Sequence, residues 1–182
     1  LGPFGAMVSM DLRGAASEGH VAQLRALFDS HHLLYFPGQS LSPEDQRRVA
    51  GWFGPLAEDK GATYYATDTG MGELGGGELA FHSDLSCTPD PLLGISLHAI
   101  AVDERSSPTR FIDAMAAARD LPPALRDRLD GLHVMNLWPM QLDGRQPGEN
   151  AAKGWPGTAH PLLKPHPRTS EPILYLNANH SD

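Results

Sequence analysis

Within the stretch "GGGELAFHSDLS", His82 and Asp84 set an imidazole and a carboxylate two residues apart. On an extended segment both side chains point to the same side, so a ring nitrogen and a carboxylate oxygen can take adjacent corners of one metal ion. That is two thirds of a two-histidine, one-carboxylate facial triad, which leaves three positions open and suits non-haem Fe(II). A hydrolytic zinc site more commonly uses three protein ligands and one open corner. These two residues leave both chemistries open. With nine histidines in the chain, an H-x-D triplet also arises easily by chance. The plain alternative is a surface histidine beside a turn-forming aspartate.

The flanking residues decide whether such a pair is held in place. Phe81 before it and "LSCTPDPLLGISLHAI" after it put the triplet at the entrance to an expected strand, where ligands can face a cavity rigidly. "LLGISLHAIAV" is the strongest strand pattern in the chain, and "TRFIDA" is a shorter one. Further upstream, "SEGHVAQLRALFDS" places Val21, Leu24, Leu27 and Phe28 on one helical face behind Ser17 as N-cap. "HHLLYFPG" reads as a short buried strand. In "SLSPEDQRRVAGWFGPL", Ser42 is an N-cap, Pro43 takes the first helical position, and Glu44 and Asp45 face the positive end of the dipole. "AMAAARDLPPALRDRLDGL" predicts two short helices, "LHVMNLW" a strand, and "HPLLKPHP" and "PILYLNAN" a strand pair across "RTSE". Residues 139–158 read as an irregular loop. Residues 57–80, glycine-rich and carrying Tyr64 and Tyr65, read equally as a binding loop or a surface excursion.

The order is helices first, then mostly strands, in a chain of 182 residues with 19 glycines and 16 prolines. It predicts one domain over residues 1–182, α+β or mostly β, with sheets forming a sandwich or barrel rather than an alternating βαβ array. A balance of 14 Lys and Arg against 22 Asp and Glu, a net charge of −8, opposes attraction to nucleic acid or anionic membrane. The single cysteine, Cys87, permits no intrachain disulfide, and no leader or membrane-length apolar run is legible, so the cytoplasm is the expected compartment. Cys87 reads as a small buried residue, or as a thiol near the metal. The chain begins at Leu1 and stops at "LNANHSD", inside what reads as a strand and its turn. It is therefore expected to be incomplete, at the C-terminus above all.

Five segments resemble a known family in order. "DLRG", "LLYFPGQSLSPEDQRRVAGWFGPL", "FHSDLSCTPDPLLGISLHAI", "PTRFIDAMAAARDLPPALRDRLDGL" and "HPLLKPHPRTSEPILYLNANHSD" are similar to segments of Fe(II)/2-oxoglutarate-dependent dioxygenases of the TauD/TfdA (taurine dioxygenase-like) family. The resemblance implies a double-stranded β-helix, a cupin-like jelly roll, with flanking helices. It implies His82 and Asp84 as iron ligands, Thr109 as the hydroxyl contacting a 2-oxoglutarate carboxylate, and O2 as co-reactant. The implied reaction oxidises a small organic molecule with release of succinate and CO2. Asp84 favours hydroxylation or a related oxidation, because halogenating relatives carry a small residue at this place.

The departures are as specific. The family's second metal histidine and its 2-oxoglutarate-binding arginine lie beyond the segment matching "YLNANH", so neither is in this sequence. His133, His160, His166 and His180 follow the triplet in segments whose counterparts are not ligands. His180 and Asn179 could act near the cavity, or be turn residues. Tyr64, Tyr65 and Glu78 are the expected substrate contacts. Glu78 stands four residues before the metal histidine, where taurine-type enzymes use an asparagine, and a carboxylate there would repel a sulfonate. A substrate with an amine or hydroxyl is therefore expected over taurine. Two other classes compete: a cupin-like ligand-binding module without catalysis, and a metal-dependent hydrolase. Assembly into a homo-oligomer is left open.

Overall fold

Residues 4–57, 80–102, 108–137, 154, 156–177 and 181 are described by a computed structural model. The chain divides into two compact units, Leu1–Leu56 with Leu93–Asp113, and Ala57–Leu92 with Ala114–Asp182.

In the first unit, β1 (Ala6–Met7) pairs in parallel with β2 (Leu34–Tyr35), with Ala6 opposite Leu34 and Met7 opposite Tyr35. A parallel pair needs a crossover, and α1 (Glu18–His31) supplies it. This small βαβ start was not expected from the sequence. Ser17 Oγ accepts from the His20 N–H at 3.2 Å, as an N-cap should, and α1 buries Leu24. Its other end closes on His32, which takes a left-handed conformation (φ 63°) and donates to the Phe28 carbonyl. α2 (Pro43–Gly51) begins with a full capping box between Ser42 and Asp45. The Arg48 guanidinium beside Asp45, with the Ser42 groups, holds that carboxyl below the usual carboxylate range. Gln39 ties the strand ends together, accepting from Leu12 N–H at 3.0 Å and donating to the carbonyls of Met10 at 2.8 Å and Pro37 at 3.0 Å.

The segment expected to be the strongest strand, within residues 92–102, forms none among the described residues, and neither does "TRFIDA". A strand exists by its ladder partners, and no described segment pairs with either. Residues 93–102 run irregularly, fixed where Gln46 Nε2 donates to Ser96 O at 3.0 Å and where Gly94 lies against the Phe28 ring. Leu97, Ile100 and Val102 remain 68%, 74% and 72% exposed. Apolar patterning marks residues that favour burial; it does not supply the surface that buries them.

The second unit carries the two short helices expected, α3 (Ala114–Arg119) and α4 (Pro123–Leu129), joined by Arg126 Nη1 donating to Ala118 O at 3.0 Å. β3 (His133–Leu137) pairs antiparallel with β4 (Gly157–Pro161), whose first residues were expected to lie in a loop. β5 (Leu163–Pro165) and β6 (Pro172–Leu174) form the expected pair. α3 lies against β6, with Ala118 fully buried. The described sheets are thus three two-stranded pairs. Gly157 marks the tightest approach: a Cβ there would fall on the Asn136 carbonyl oxygen and within 2.8 Å of Leu137 Cδ2. The buried side chains of this unit are unusually mixed, with Val134, Leu137 and Tyr175 beside Ser86, Asn136, His160 and Asn177.

Candidate metal centre

His82 and Asp84 come together in the second unit. His82 Nε2 lies 3.1 Å from Asp84 Oδ1, and the two side chains keep 23% and 44% of their surface. The pair is therefore partly dry yet open to an ion from solution. His82 Nδ1 lies 2.8 Å from the Ala80 carbonyl. A carbonyl only accepts, so Nδ1 carries the proton, and Nε2 is the nitrogen turned toward the carboxylate. This is the arrangement of metal-binding histidines, whose second ring N–H is tied to a backbone carbonyl or carboxylate. Donors each about 2.1 Å from one ion at a right angle stand about 3.0 Å apart, close to the separation seen here. The donor set therefore fits a first-row divalent ion. The hydrogen bond to Asp84, opposed by burial, raises the His82 imidazolium above its usual range. Metal binding at Nε2 must then expel a proton.

The triplet leads into a turn that begins at Asp84 rather than into a strand. Leu85, next to Asp84, takes a left-handed conformation (φ 54°) that a bulky residue adopts only under constraint. The constraint comes from side chains. Ser83 N–H donates to Asn177 Oδ1, Thr158 Oγ1 donates to Cys87 O at 2.8 Å, and His160 Nε2 reaches Thr88 O at 2.9 Å. His160 is thus a buried structural residue, with Lys164 Nζ 3.4 Å from its Nδ1.

Beneath the turn, Tyr175 meets the His160 ring edge to face at 5.3 Å and lies under the Lys164 ammonium at 4.6 Å. Its hydroxyl is buried with no hydrogen-bond partner among the described residues, and burial pushes it up to about 12. Burial also lowers Lys164, against the opposing charge of Asp90.

Among the described residues no third His, Cys, Asp or Glu joins His82 and Asp84 in a ligand cluster. Thr109 is exposed and belongs to the first unit. Tyr64, Tyr65, Glu78, Asn179 and His180 lie outside the described residues. Asn136 and Asn177 were missed as site-supporting residues. For Asn136 a signal existed, since strand alternation puts it on the same face as buried Val134.

The taurine catabolism dioxygenase TauD, TfdA family matches the chain over residues 1–182. The chain belongs to this family. Among its relatives is the alpha-ketoglutarate-dependent 2,4-dichlorophenoxyacetate dioxygenase of Cupriavidus pinatubonensis, 26% identical over 94% of this chain and 69% of that protein. Another is the (S)-phenoxypropionate/alpha-ketoglutarate-dioxygenase of Sphingobium herbicidovorans, 27% identical over 95% of this chain and 67% of the relative. The crystal structure of AAD-2 with Mn(II) and N-oxalylglycine superposes with a TM-score of 0.76, at 22% identity, over 98% of this chain and 70% of that one. TauD/TfdA membership makes the chain an oxidoreductase of the 2-oxoglutarate-dependent dioxygenase class. Neither the binding module nor the hydrolase is favoured. No described helix is long and apolar enough to cross a membrane.

Proposed function

We propose that the full-length protein is a non-haem Fe(II)/2-oxoglutarate-dependent dioxygenase that oxidises a small organic molecule, with His82 and Asp84 holding the metal. The observation that carries this reading is the His82–Asp84 pair, with 3.1 Å between donor atoms and the Nδ1 proton tied to Ala80. Fe(II) with 2-oxoglutarate would supply O2 activation, releasing succinate and CO2 as the substrate is oxidised.

The chain's own share is positional. His82 presents one defined nitrogen, Asp84 supplies a fixed negative charge, and the Thr109 hydroxyl takes a 2-oxoglutarate carboxylate. Residues 1–182 belong to a single domain of jelly-roll type, in a cytoplasmic protein. The second metal histidine and the arginine partner of 2-oxoglutarate are not assigned to any residue of this sequence.

Tyr64, Tyr65 and Glu78 are the proposed substrate contacts. The two named relatives act on aryloxyalkanoates, which carry a carboxylate. Glu78 disfavours an anion at its position, so an amine or hydroxyl on the substrate fits this chain better than a sulfonate.

The test is succinate release by the full-length protein with Fe(II), 2-oxoglutarate and a panel containing an aryloxyacetate, taurine and amine-bearing compounds. Substrate-dependent succinate is expected, falling to background in His82→Ala and in Asp84→Ala. Unchanged turnover in either variant overturns the metal assignment, and a clear preference for taurine overturns the role of Glu78.

A further inference from the structure

The backbone between the two metal-binding residues is held by a chain of buried amides. Ser83 N–H, lying between His82 and Asp84, donates to Asn177 Oδ1. Asn177 Nδ2 donates to Asn136 Oδ1 at 2.7 Å, and Asn136 Nδ2 reaches Val134 O at 3.4 Å within β3. The direction of this relay is fixed from one end. A backbone N–H can only donate, so Asn177 must present its oxygen to Ser83 and its NH2 to Asn136. Both asparagines are effectively solvent-free, at 1% and 0% exposure. Asn177 is in turn fixed through its backbone, its N–H donating to Ser181 Oγ at 2.9 Å and its carbonyl accepting from Ser181 N–H at 2.9 Å.

We propose that Asn177 and Asn136 are positioning residues for the metal centre, a buried amide relay that clamps the Ser83 backbone and keeps His82 and Asp84 side by side. The inference rests on the reading of those two residues as metal ligands. The triplet has no ladder partner among the described residues, and the other described hold on the Ser83 backbone is local, its carbonyl accepting from the Ser86 N–H at 3.4 Å. Loss of Asn177 would remove the protein partner of the Ser83 N–H and leave the Asn136 Oδ1 without its donor in a dry site, which favours rearrangement of the turn over retention of the geometry.

The test is Mn(II) affinity of the metal-free full-length protein, read by electron paramagnetic resonance of free Mn(II), with thermal midpoints measured alongside. Asn177→Ala is expected to weaken Mn(II) binding about 10–100-fold, as loss of partners behind the ligands does elsewhere. Asn177→Asp keeps an acceptor for Ser83 but loses the donor to Asn136, so its Mn(II) affinity is expected to fall between those of Asn177→Ala and the parent. His82→Ala is the reference arm. If it binds Mn(II) as tightly as the parent, the metal reading itself fails. If it loses binding while Asn177→Ala does not, or if Asn177→Ala and Asn177→Asp lose it equally, the relay is overturned and the metal reading stands. Should the Asn177 variants fold poorly, amide hydrogen exchange in the parent decides. The relay requires slow exchange at Ser83 in the metal-free protein, and exchange at the unprotected rate overturns it.

Discussion

Residues 82–88 and residues 93–102 are both irregular in conformation, yet they are held in opposite ways. The first carries polar and chemically active side chains and is anchored at Ser83, Cys87 and Thr88 by side chains of Asn177, Thr158 and His160. The second is rich in strand-forming apolar residues and is anchored at Ser96 by Gln46, with Leu97, Ile100 and Val102 largely exposed. Hydrogen bonds from a buried scaffold can fix a segment without any ladder. Hydrophobicity alone cannot, because it needs a second surface.

The sharpest way to break this contrast is to move the scaffold under the first segment. Gly157→Val places a side chain on the Asn136 carbonyl and against Leu137. Overpacking of this kind costs about 1–3 kcal/mol. Urea denaturation should show that loss, together with weaker Mn(II) binding, because Asn136 shifts with β3. Unchanged binding would mean that the turn is held independently of the strand pair.

A smaller effect separates burial from bonding at Tyr175. Its hydroxyl is buried with no described partner, so Tyr175→Phe removes a desolvation penalty and should raise stability at neutral pH by about 1 kcal/mol. Alkaline pH distinguishes the two proteins. The folded state holds this phenol neutral up to about 12, against an ordinary value near 10. The stability it contributes is complete below pH 10 and lost as pH rises toward 12. Urea midpoints measured across that window should fall less steeply in the phenylalanine variant.

The smallest effect belongs to the second segment. Leu97→Ser, at a side chain 68% exposed, should alter the stability of the 182-residue chain by less than about 0.5 kcal/mol. A loss several times larger would mean that this side chain is covered in the folded protein, and the contrast between the segments would fail.

The same contrast explains what was legible in the sequence. Local signals held: Ser17 and Ser42 cap the helices expected of them, and the β5–β6 pair flanks "RTSE". Two residues of spacing also sufficed to bring the His82 imidazole and the Asp84 carboxylate together. What depended on distant partners was not legible. The run beginning at Leu92 reads as a strand whatever lies beside it, and β4 starts inside a stretch whose composition reads as loop. Asn177 looks like a turn residue until Ser83, far away in sequence, is seen to donate to it.

That distance also sets an order of events during folding. Ser83 and Asn177 are 94 positions apart, and Asn177 and Asn136 are 41 apart. Closing such loops is entropically slow and is rewarded only when the far segment has arrived. The helices and the β5–β6 hairpin can form from near neighbours, whereas the His82–Asp84 pair must wait for Asn177. On the proposed relay, a nascent or refolding chain carries His82 and Asp84 unpositioned through the early stages, and capture of the proposed metal should follow, rather than guide, the folding of this unit.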